Sequence, residues 1–251
     1  MSIDLNCDLG ESFGAYKIGN DEEVIKFVDR VNIACGFHAG DPIVMDKTVS
    51  LAKDYNVKVG AHPSYRDFVG FGRRFLDASP KEIENDIIYQ IGALHAFCLK
   101  HSIQLDHVKP HGALYNRAAV DFDTAMAVAR GIKAFDRNLK MVVLCNSEMV
   151  RAAEMAGLTY LKEAFADRHY DDNGRLVSRK VNGAVIDDLN LILSRVKRMI
   201  TDGMVESITG KVIKLNPDTI CVHGDNEKAL EIAKNLNLLL KEYKNSKGGK
   251  L

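Results

Sequence analysis

Short apolar runs alternate with amphipathic segments along almost the whole chain. Over residues 2–11, polar and apolar positions alternate with the period of a β-strand, so Asp4, Asn6 and Asp8 share one face. Similar runs begin at residues 31, 57, 105, 141, 159 and 219, and most of them end in His, Lys, Asp or Glu beside a glycine or proline. We predict a strand at each run, with candidate functional side chains where the strand ends.

Between these runs, apolar positions recur with the helical period of about 3.6 residues. Helix-start signals support several of the segments, among them Asp41 before Pro42 and the capping box of Ser79 and Glu82. We predict helices at 20–30, 42–55, 80–100, 123–135, 147–156, 187–204 and 227–241, and a small hairpin-like excursion at 207–215.

The alternation of strands and helices is typical of the α/β class with a parallel sheet. We expect a TIM-like (β/α) barrel of seven parallel strands, because candidate functional side chains follow nearly every strand from first to last. The alternative is an open doubly wound sheet, whose site would be concentrated at one switch point. We expect a single catalytic domain over residues 1–245 and a flexible tail at 246–251.

The composition narrows the classes of function. The 34 Lys and Arg residues balance 34 Asp and Glu residues, which gives no electrostatic footprint for nucleic acid or an anionic membrane. The five cysteines form no C-x-x-C pair, which indicates small core residues in a reducing compartment. No apolar run is long enough to span a membrane. We therefore expect a cytoplasmic protein that acts on a small molecule.

The eight histidines divide into two groups by their place in the pattern. Four follow an apolar run and lie within two residues of a glycine or proline: His38, His62, His111 and His223. The remaining four are predicted to be structural or solvated: His95, His101, His107 and His169. One histidine at a strand end is most simply a partner for a backbone carbonyl, but four in the same context indicate a shared catalytic site.

Charged side chains accompany these histidines at the strand ends. Lys109 shares the face of His111, where its ammonium group can stabilise an oxyanion or bind a carboxylate or phosphate. The acidic candidates for catalysis are Asp8, Glu163 and Asp225, and Asp225 can orient His223. Further candidates, for binding substrate or phosphate, are Asn6, Glu11, Asp167 and Arg168.

Two interpretations of these residues stay open. Asp8, His38 and His62 suit a divalent metal ion with open coordination positions, but the same groups perform acid–base chemistry without metal. Arg73 and Arg74 follow two glycines in the segment 70–74, which is either an anion-binding loop or a plain surface turn. The sequence contains no P-loop motif, and it contains no G-x-S-x-G motif that would indicate a serine nucleophile.

Seven motifs, taken in order, resemble one family. They include Lys109-Pro110-His111-Gly112, and together they occupy residues 4–14, 32–42, 60–63, 70–74, 109–115, 163–168 and 222–225. In this order they are similar to the LamB/YcsF family. The resemblance implies a distorted β/α barrel related to the polysaccharide-deacetylase superfamily.

The resemblance also implies an activity and its partners. It implies the A subunit of an ATP-dependent 5-oxoprolinase, which acts with separate B and C subunits and uses ATP with Mg²⁺. The reaction implied is the opening of 5-oxoproline to glutamate with release of ADP and phosphate.

Roles for the candidate residues follow as a hypothesis from this reaction. Asp8 or Glu163 would activate water, and one of His38, His62 and His111 would protonate the leaving nitrogen. Lys109 or Arg168 would hold the substrate carboxylate or the transferred phosphate. Two alternatives remain: a metal-dependent amidohydrolase or deacetylase that needs no ATP, and a non-catalytic substrate-binding subunit.

Overall fold

A closed barrel of parallel strands forms the centre of the molecule. The structure is a computed structural model, and it describes residues 3–224 and 228–248. Within these ranges the barrel strands are β1 (Asp4–Leu9), β2 (Arg30–Ala34), β3 (Lys58–His62), β4 (Leu105–Val108), β5 (Lys140–Leu144), β6 (Tyr160–Phe165) and β9 (Thr219–His223). They pair in that order, and β9 pairs with both β6 and β1 to close the barrel. The predicted seven-stranded β/α barrel is confirmed.

Helices surround the barrel and connect most of its strands. They are α1 (Asp21–Val24), α2 (Pro42–Asp54), α3 (Pro80–Lys100), α4 (Gly112–Ala118), α5 (Phe122–Phe135), α6 (Glu148–Ala156), α7 (Leu189–Asp202) and α8 (Ala229–Gly248). An antiparallel hairpin of β7 (Met204–Glu206) and β8 (Val212–Lys214) lies between α7 and β9, where the sequence predicted such an excursion. The helix predicted at 227–241 continues to Gly248 as α8, so residues 246–248 of the predicted flexible tail are helical, and residues 249–251 lie outside the described part of the chain.

The predicted helix starts on α2 and α3 are confirmed in detail. Asp41 accepts hydrogen bonds from the backbone N–H groups of Ile43 and Val44. Ser79 and Glu82 form the expected capping box at the start of α3. Each cap satisfies backbone donors that have no partner inside the helix, and this fixes where the chain turns from loop to helix.

The sequence-based elements differ from the structure in two further places. The helix predicted at 20–30 is only α1 followed by a short 3₁₀ turn, because Val28 is extended and Arg30 already belongs to β2. The helix α4 was not predicted. It begins at Gly112, which has a positive φ of 56°, and no side chain caps it, so the sequence carries no start signal for it.

Alternation along the strands separates an apolar shell from a polar barrel interior. Leu5, Cys7 and Leu9 of β1 are buried in the apolar core, whereas Asn6 and Asp8 bond with polar side chains of other strands. The five cysteines are free and buried, as predicted. Within the described ranges, the molecule has no helix that is long and apolar enough to cross a bilayer.

Candidate active site

Barrel closure brings the ends of the first and last strands together. Asp8 on β1 is in register with Asn32 on β2 and with His223 on β9. The carboxyl ends of all seven strands lie at one end of the barrel, where the catalytic sites of β/α barrels are built. Most of the side chains that the sequence placed at strand ends meet there: Asp8, His38, His62, Lys109, His111, Glu163 and His223.

Lys109 is the central charge of this group. Its Nζ donates to Asp8 Oδ1 at 2.9 Å and to Cys221 Sγ at 3.0 Å. It also forms an ion pair with Glu163 Oε1 at 2.9 Å, and Glu163 accepts a hydrogen bond from the Tyr115 hydroxyl at 2.8 Å. One buried ammonium group therefore compensates two buried carboxylates.

Asp8 and Lys109 hold each other in the charged state. Burial alone would raise the pKa of Asp8, but the charges of His62 and Lys109 outweigh burial and hold this pKa well below its usual value. Burial alone would lower the pKa of Lys109, but Asp8, Cys221 and Glu163 raise it well above its usual value. The site therefore presents a carboxylate beside an ammonium group at neutral pH.

A second polar layer supports Asp8 from inside the barrel. The Asn32 amide donates to Asp8 Oδ1 at 2.8 Å and to Asn6 Oδ1 at 2.9 Å. The Asn32 carbonyl oxygen accepts from His107 Nε2 at 2.8 Å, so His107 carries its proton on that nitrogen. Burial lowers the pKa of His107 to about 4, which keeps the ring neutral. His107 thus has a structural role, as predicted, and it sets the orientation of Asn32.

Three histidines and Glu11 form a compact cluster beside Asp8. The rings of His38 and His111 are stacked, with centroids 3.8 Å apart. His62 Nε2 lies 3.0 Å from His111 Nδ1 and 3.4 Å from Asp8 Oδ2, and Glu11 Oε1 lies 3.3 Å from His38 Nε2. Burial lowers the pKa of His38 and of His111 well below the usual value. Glu11 was predicted to bind substrate or phosphate, but in the structure it contacts histidines.

His223 is oriented by Asp167. Its Nδ1 lies 2.9 and 3.0 Å from the two carboxylate oxygens of Asp167. Burial alone would raise the pKa of Asp167, but the charge and hydrogen bond of His223 lower it, so Asp167 is ionised. The sequence assigned this orienting role to Asp225, which lies outside the described residues. A histidine whose Nδ1 is bound to a carboxylate presents its Nε2 for proton transfer.

A cavity of about 530 Å³ opens over these groups. Asp8, His62, Lys109, His111 and His223 reach its surface. Glu163 does not line it; that side chain lies behind Lys109 and is fully buried. Four further lining residues give the mouth a positive charge, namely Arg73, Arg168, Arg179 and Lys180, and Asn116 and Ser178 add neutral polar groups.

Arg168 is the most enclosed of these arginines. It is 4% exposed, and burial together with the nearby charge of Arg179 lowers its pKa to about 10, so it stays charged at neutral pH. Its Nη2 donates to the Val177 carbonyl oxygen, whereas its buried Nε has no protein partner among the described residues. A buried guanidinium donor at the edge of a cavity suits an anionic ligand.

The segment 70–74 is built by packing and by an ion pair. The Asp67 carboxylate accepts from the Gly70 and Arg74 backbone N–H groups and pairs with the Arg74 guanidinium. A Cβ on Gly72 would lie 2.7 Å from His111 and 2.8 Å from His38, so this glycine allows the segment to pack against the histidine cluster. Arg74 is directed to Asp67 and not to the cavity, whereas Arg73 lines the cavity.

Several residues of the site were not proposed from the sequence, among them Asn32, Tyr115, Cys221 and Arg179. Asn32 carried a signal, because it is a polar residue inside an apolar strand run and in phase with the strand ends. Tyr115 and Cys221 carried none, since an aromatic on a helix and a cysteine in a strand are usual core residues. Arg179 lies in a polar loop that the pattern left without structure.

A family model matches almost the whole chain. The family model of the LamB/YcsF family matches residues 3–247, and the chain therefore belongs to the LamB/YcsF family.

Individual relatives are similar over nearly their whole length. A protein of Pyrococcus abyssi that is named as the A subunit of 5-oxoprolinase is 54% identical over 242 residues, which cover 96% of this chain and 95% of that protein. A protein of Campylobacter jejuni with the same name is also 54% identical over 242 residues, with the same coverage. The crystal structure of a lactam utilization protein from Thermus thermophilus has a TM-score of 0.91 and 43% identity, and the match covers 97% of each chain.

Proposed function

We propose that this chain opens 5-oxo-L-proline to L-glutamate as the A subunit of an ATP-dependent 5-oxoprolinase with separate B and C subunits. The names of its relatives support the reaction. The observation that carries the proposal is a cationic cavity with an ionised Asp8 and an oriented His223 at its base. Such a cavity suits a small anionic lactam. Five free buried cysteines fit a cytoplasmic enzyme.

Ring opening requires that the carbon–nitrogen bond of the reaction intermediate breaks, and not the bond from the same carbon to the phosphorylated oxygen. A lactam carbonyl is a poor electrophile, and transfer of the ATP γ-phosphoryl group to its oxygen makes the carbon attackable by water. The tetrahedral intermediate returns to the lactam if phosphate leaves, whereas loss of the protonated nitrogen gives γ-glutamyl phosphate. A second water then releases glutamate and phosphate. A general acid at the nitrogen therefore decides the outcome.

Asp8 is the better candidate for the base that activates water. It reaches the cavity, whereas Glu163 is held behind Lys109 by that ion pair and by Tyr115. His62 and Lys109 keep Asp8 ionised, as a base must be. The Lys109 ammonium group, which also lines the cavity, is placed to stabilise negative charge on the attacked carbon's oxygen.

His223 is the better candidate for the acid that protonates the leaving nitrogen. It lines the cavity, its Nδ1 is held by Asp167, and one of its ring nitrogens lies within 4.8 Å of an Asp8 oxygen. His38 has no exposed surface, and His62 and His111 each use one ring nitrogen on a backbone carbonyl. Base and acid would thus face the same carbon–nitrogen bond from neighbouring strand ends.

The arginines at the mouth would bind the substrate carboxylate or the transferred phosphate. Arg168 supplies a buried Nε donor, and Arg73 and Arg179 line the same cavity. The ATP and Mg²⁺ that the reaction requires are proposed to enter through the assembled enzyme, since the sequence contains no P-loop motif.

One observation favours a second candidate function. The buried cluster of Glu11, His38, His62 and His111 has the composition of a metal site, as a metal-dependent amidohydrolase would require. Such an enzyme would hydrolyse an amide as the isolated chain, without ATP and without partner subunits.

The experiment that tests the proposal measures glutamate and phosphate released from 5-oxoproline. Wild-type chain is assayed alone, with ATP and Mg²⁺, and with purified B and C subunits in the presence and absence of ATP. We expect glutamate and phosphate in equal amounts only when both partners and ATP are present. Turnover by the isolated chain without ATP would contradict the proposal and support the amidohydrolase.

A further inference from the structure

Four buried side chains from separate strand-end segments converge on one point beside the cavity. They are Glu11 after β1, His38 after β2, His62 at the end of β3 and His111 after β4. One ligand atom from each lies within 4.8 Å of the other three, and none of the four side chains is more than 7% exposed. Three imidazoles and a carboxylate are a donor set that first-row divalent metals bind.

Backbone carbonyls fix the tautomers of two of these histidines. His62 Nδ1 lies 2.6 Å from the Lys109 carbonyl oxygen, and His111 Nε2 lies 2.9 Å from that of Phe71. A carbonyl oxygen only accepts, so both of these nitrogens carry protons. When both rings are neutral, the remaining nitrogens, His62 Nε2 and His111 Nδ1, face each other with lone pairs at 3.0 Å. Two facing lone pairs require a cation or a shared proton between them.

Three of the six separations between the candidate ligand atoms are close to the edge length of a tetrahedral coordination shell. Nitrogens bound to Zn²⁺ at about 2.0–2.1 Å lie about 3.3 Å from each other in a tetrahedron. The separations here are 3.0 Å between His62 and His111, 3.3 Å between His38 and Glu11, and 3.6 Å between His111 and Glu11. Metal-binding histidines usually donate their second ring N–H to a carbonyl or carboxylate, as His62 and His111 do.

A second group of ligand-type side chains is a poorer metal site. Asp8, Cys221 and His223 also offer atoms within 4.8 Å of one another. The Lys109 ammonium group, however, already lies 2.9 Å from Asp8 and 3.0 Å from Cys221. A lysine cation in that position repels a divalent ion, so the two groups differ in their expected affinity for metal.

We propose that Glu11, His38, His62 and His111 bind one divalent transition-metal ion of the Zn²⁺ type. This ligand set shares His38 and His62 with the set predicted from the sequence, but Glu11 and His111 take the place of Asp8. Asp8 lies outside the set and next to it, since its Oδ2 is 3.4 Å from His62 Nε2. A site with four protein ligands is closed, and it fixes the loops after β1, β2 and β4 relative to the end of β3.

The test measures metal binding and is independent of turnover. The folded wild-type chain is treated with a chelator, dialysed and titrated with Co²⁺ and then Zn²⁺. We expect one equivalent of Co²⁺ with the visible absorption of a four-coordinate N₃O site, its displacement by Zn²⁺, and one equivalent of zinc by elemental analysis. A folded wild-type chain that binds neither ion would overturn the proposal, whatever its activity in the assembled enzyme, and would leave a shared proton between His62 and His111.

Variants locate the ion. We expect His38→Gln and Glu11→Gln to lower the Co²⁺ affinity at least about 100-fold. Loss of a residue that only hydrogen-bonds to a metal ligand lowers metal affinity by about 10–100-fold, and loss of the ligand itself should lower it at least as much. His223→Gln should bind like the wild type, and so should His101→Gln, whose ring pairs with Asp46 at the surface. Loss of binding in His223→Gln with binding kept in His38→Gln would place the ion at Asp8, Cys221 and His223 instead. Circular dichroism shows whether each variant is folded. If a variant does not fold, the wild-type titration alone tests the proposed metal site.

Discussion

Single charged residues inside this barrel are kept ionised by their neighbours. Lys109 pairs with Asp8 and Glu163 at the same time, and each of the three is nearly without exposed surface. Breaking such a group by removing one member leaves an uncompensated buried charge, which costs about 3–5 kcal/mol. The charges are therefore better understood as parts of a reactive site than as a source of stability.

Asp21 makes the stability of the fold depend on pH. Burial raises the pKa of Asp21 from 3.8 to about 6, even though its carboxylate accepts the Gly10 N–H at 2.8 Å. Because the folded state binds this proton more tightly than the unfolded state, its contribution is present below the unfolded pKa and is lost as pH rises through about 6. The loss amounts to at most about 3 kcal/mol.

Urea unfolding of the wild type and of Asp21→Asn between about pH 4 and pH 7 measures the loss of stability that accompanies ionisation of Asp21. Asparagine stays neutral, so the variant should gain stability relative to the wild type as pH rises. The comparison cancels the titration of all other groups. A free-energy difference that stays constant over this range would show that Asp21 does not titrate there.

Arg168 gives a prediction about substrate binding. Arg168→Gln should raise the KM for 5-oxoproline about 10–100-fold with a smaller change in kcat, since a charge-assisted hydrogen bond contributes about 1.5–3 kcal/mol. The matched control is Arg130→Gln, which removes an exposed arginine paired with Glu84 on the helix surface. Steady-state kinetics of the assembled enzyme measure both. Equal KM values for the two variants would exclude a contact between Arg168 and the substrate.

At the scale of elements, local sequence signals predicted the starts of α2 and α3, where a side chain does the capping. Asp41 and Ser79 cap α2 and α3 as the sequence indicated. The helix α4 lacks a capping side chain and begins at a glycine, so its position depends on packing of Gly112 against the carbonyl of Gly72. Contacts between segments that are distant in the chain are not visible in a local pattern.

Gly60 on β3 gives a prediction at this scale. A Cβ there would lie 2.2 Å from His107 Nε2, whose ring is fully buried and bonds with Asn32. Gly60→Ala should therefore destabilise the fold by about 2–3 kcal/mol through overpacking. In Gly92→Ala, on α3, the nearest atom to the new Cβ is 3.7 Å away, and helix propensity should stabilise the fold by about 0.5–1 kcal/mol. Denaturant midpoints compare the two; equal stability of both variants would contradict this packing.

At the scale of the whole molecule, the sequence predicted which side chains meet but not how they pair. The strand-end positions placed His38, His62 and His111 on one rim, because every strand of a parallel barrel ends on the same side. The partner of His223 could not be predicted, since Asp167 follows β6 and approaches β9 only when the barrel closes. The contacts of Glu11 with histidines from other strand ends also form only when the barrel closes, so the sequence did not indicate them and Glu11 was assigned to substrate binding.

The rate of 5-oxoproline-dependent glutamate formation by Asp8→Asn, assembled with the B and C subunits and ATP, tests the proposed chemistry most directly. We predict a kcat at least about 100-fold below the wild type, since the base that activates water is lost. Asp46→Asn, a surface carboxylate on α2 that pairs with Lys100, should keep the wild-type rate. A folded Asp8→Asn enzyme with a near-normal rate would contradict the assignment of Asp8 as the base.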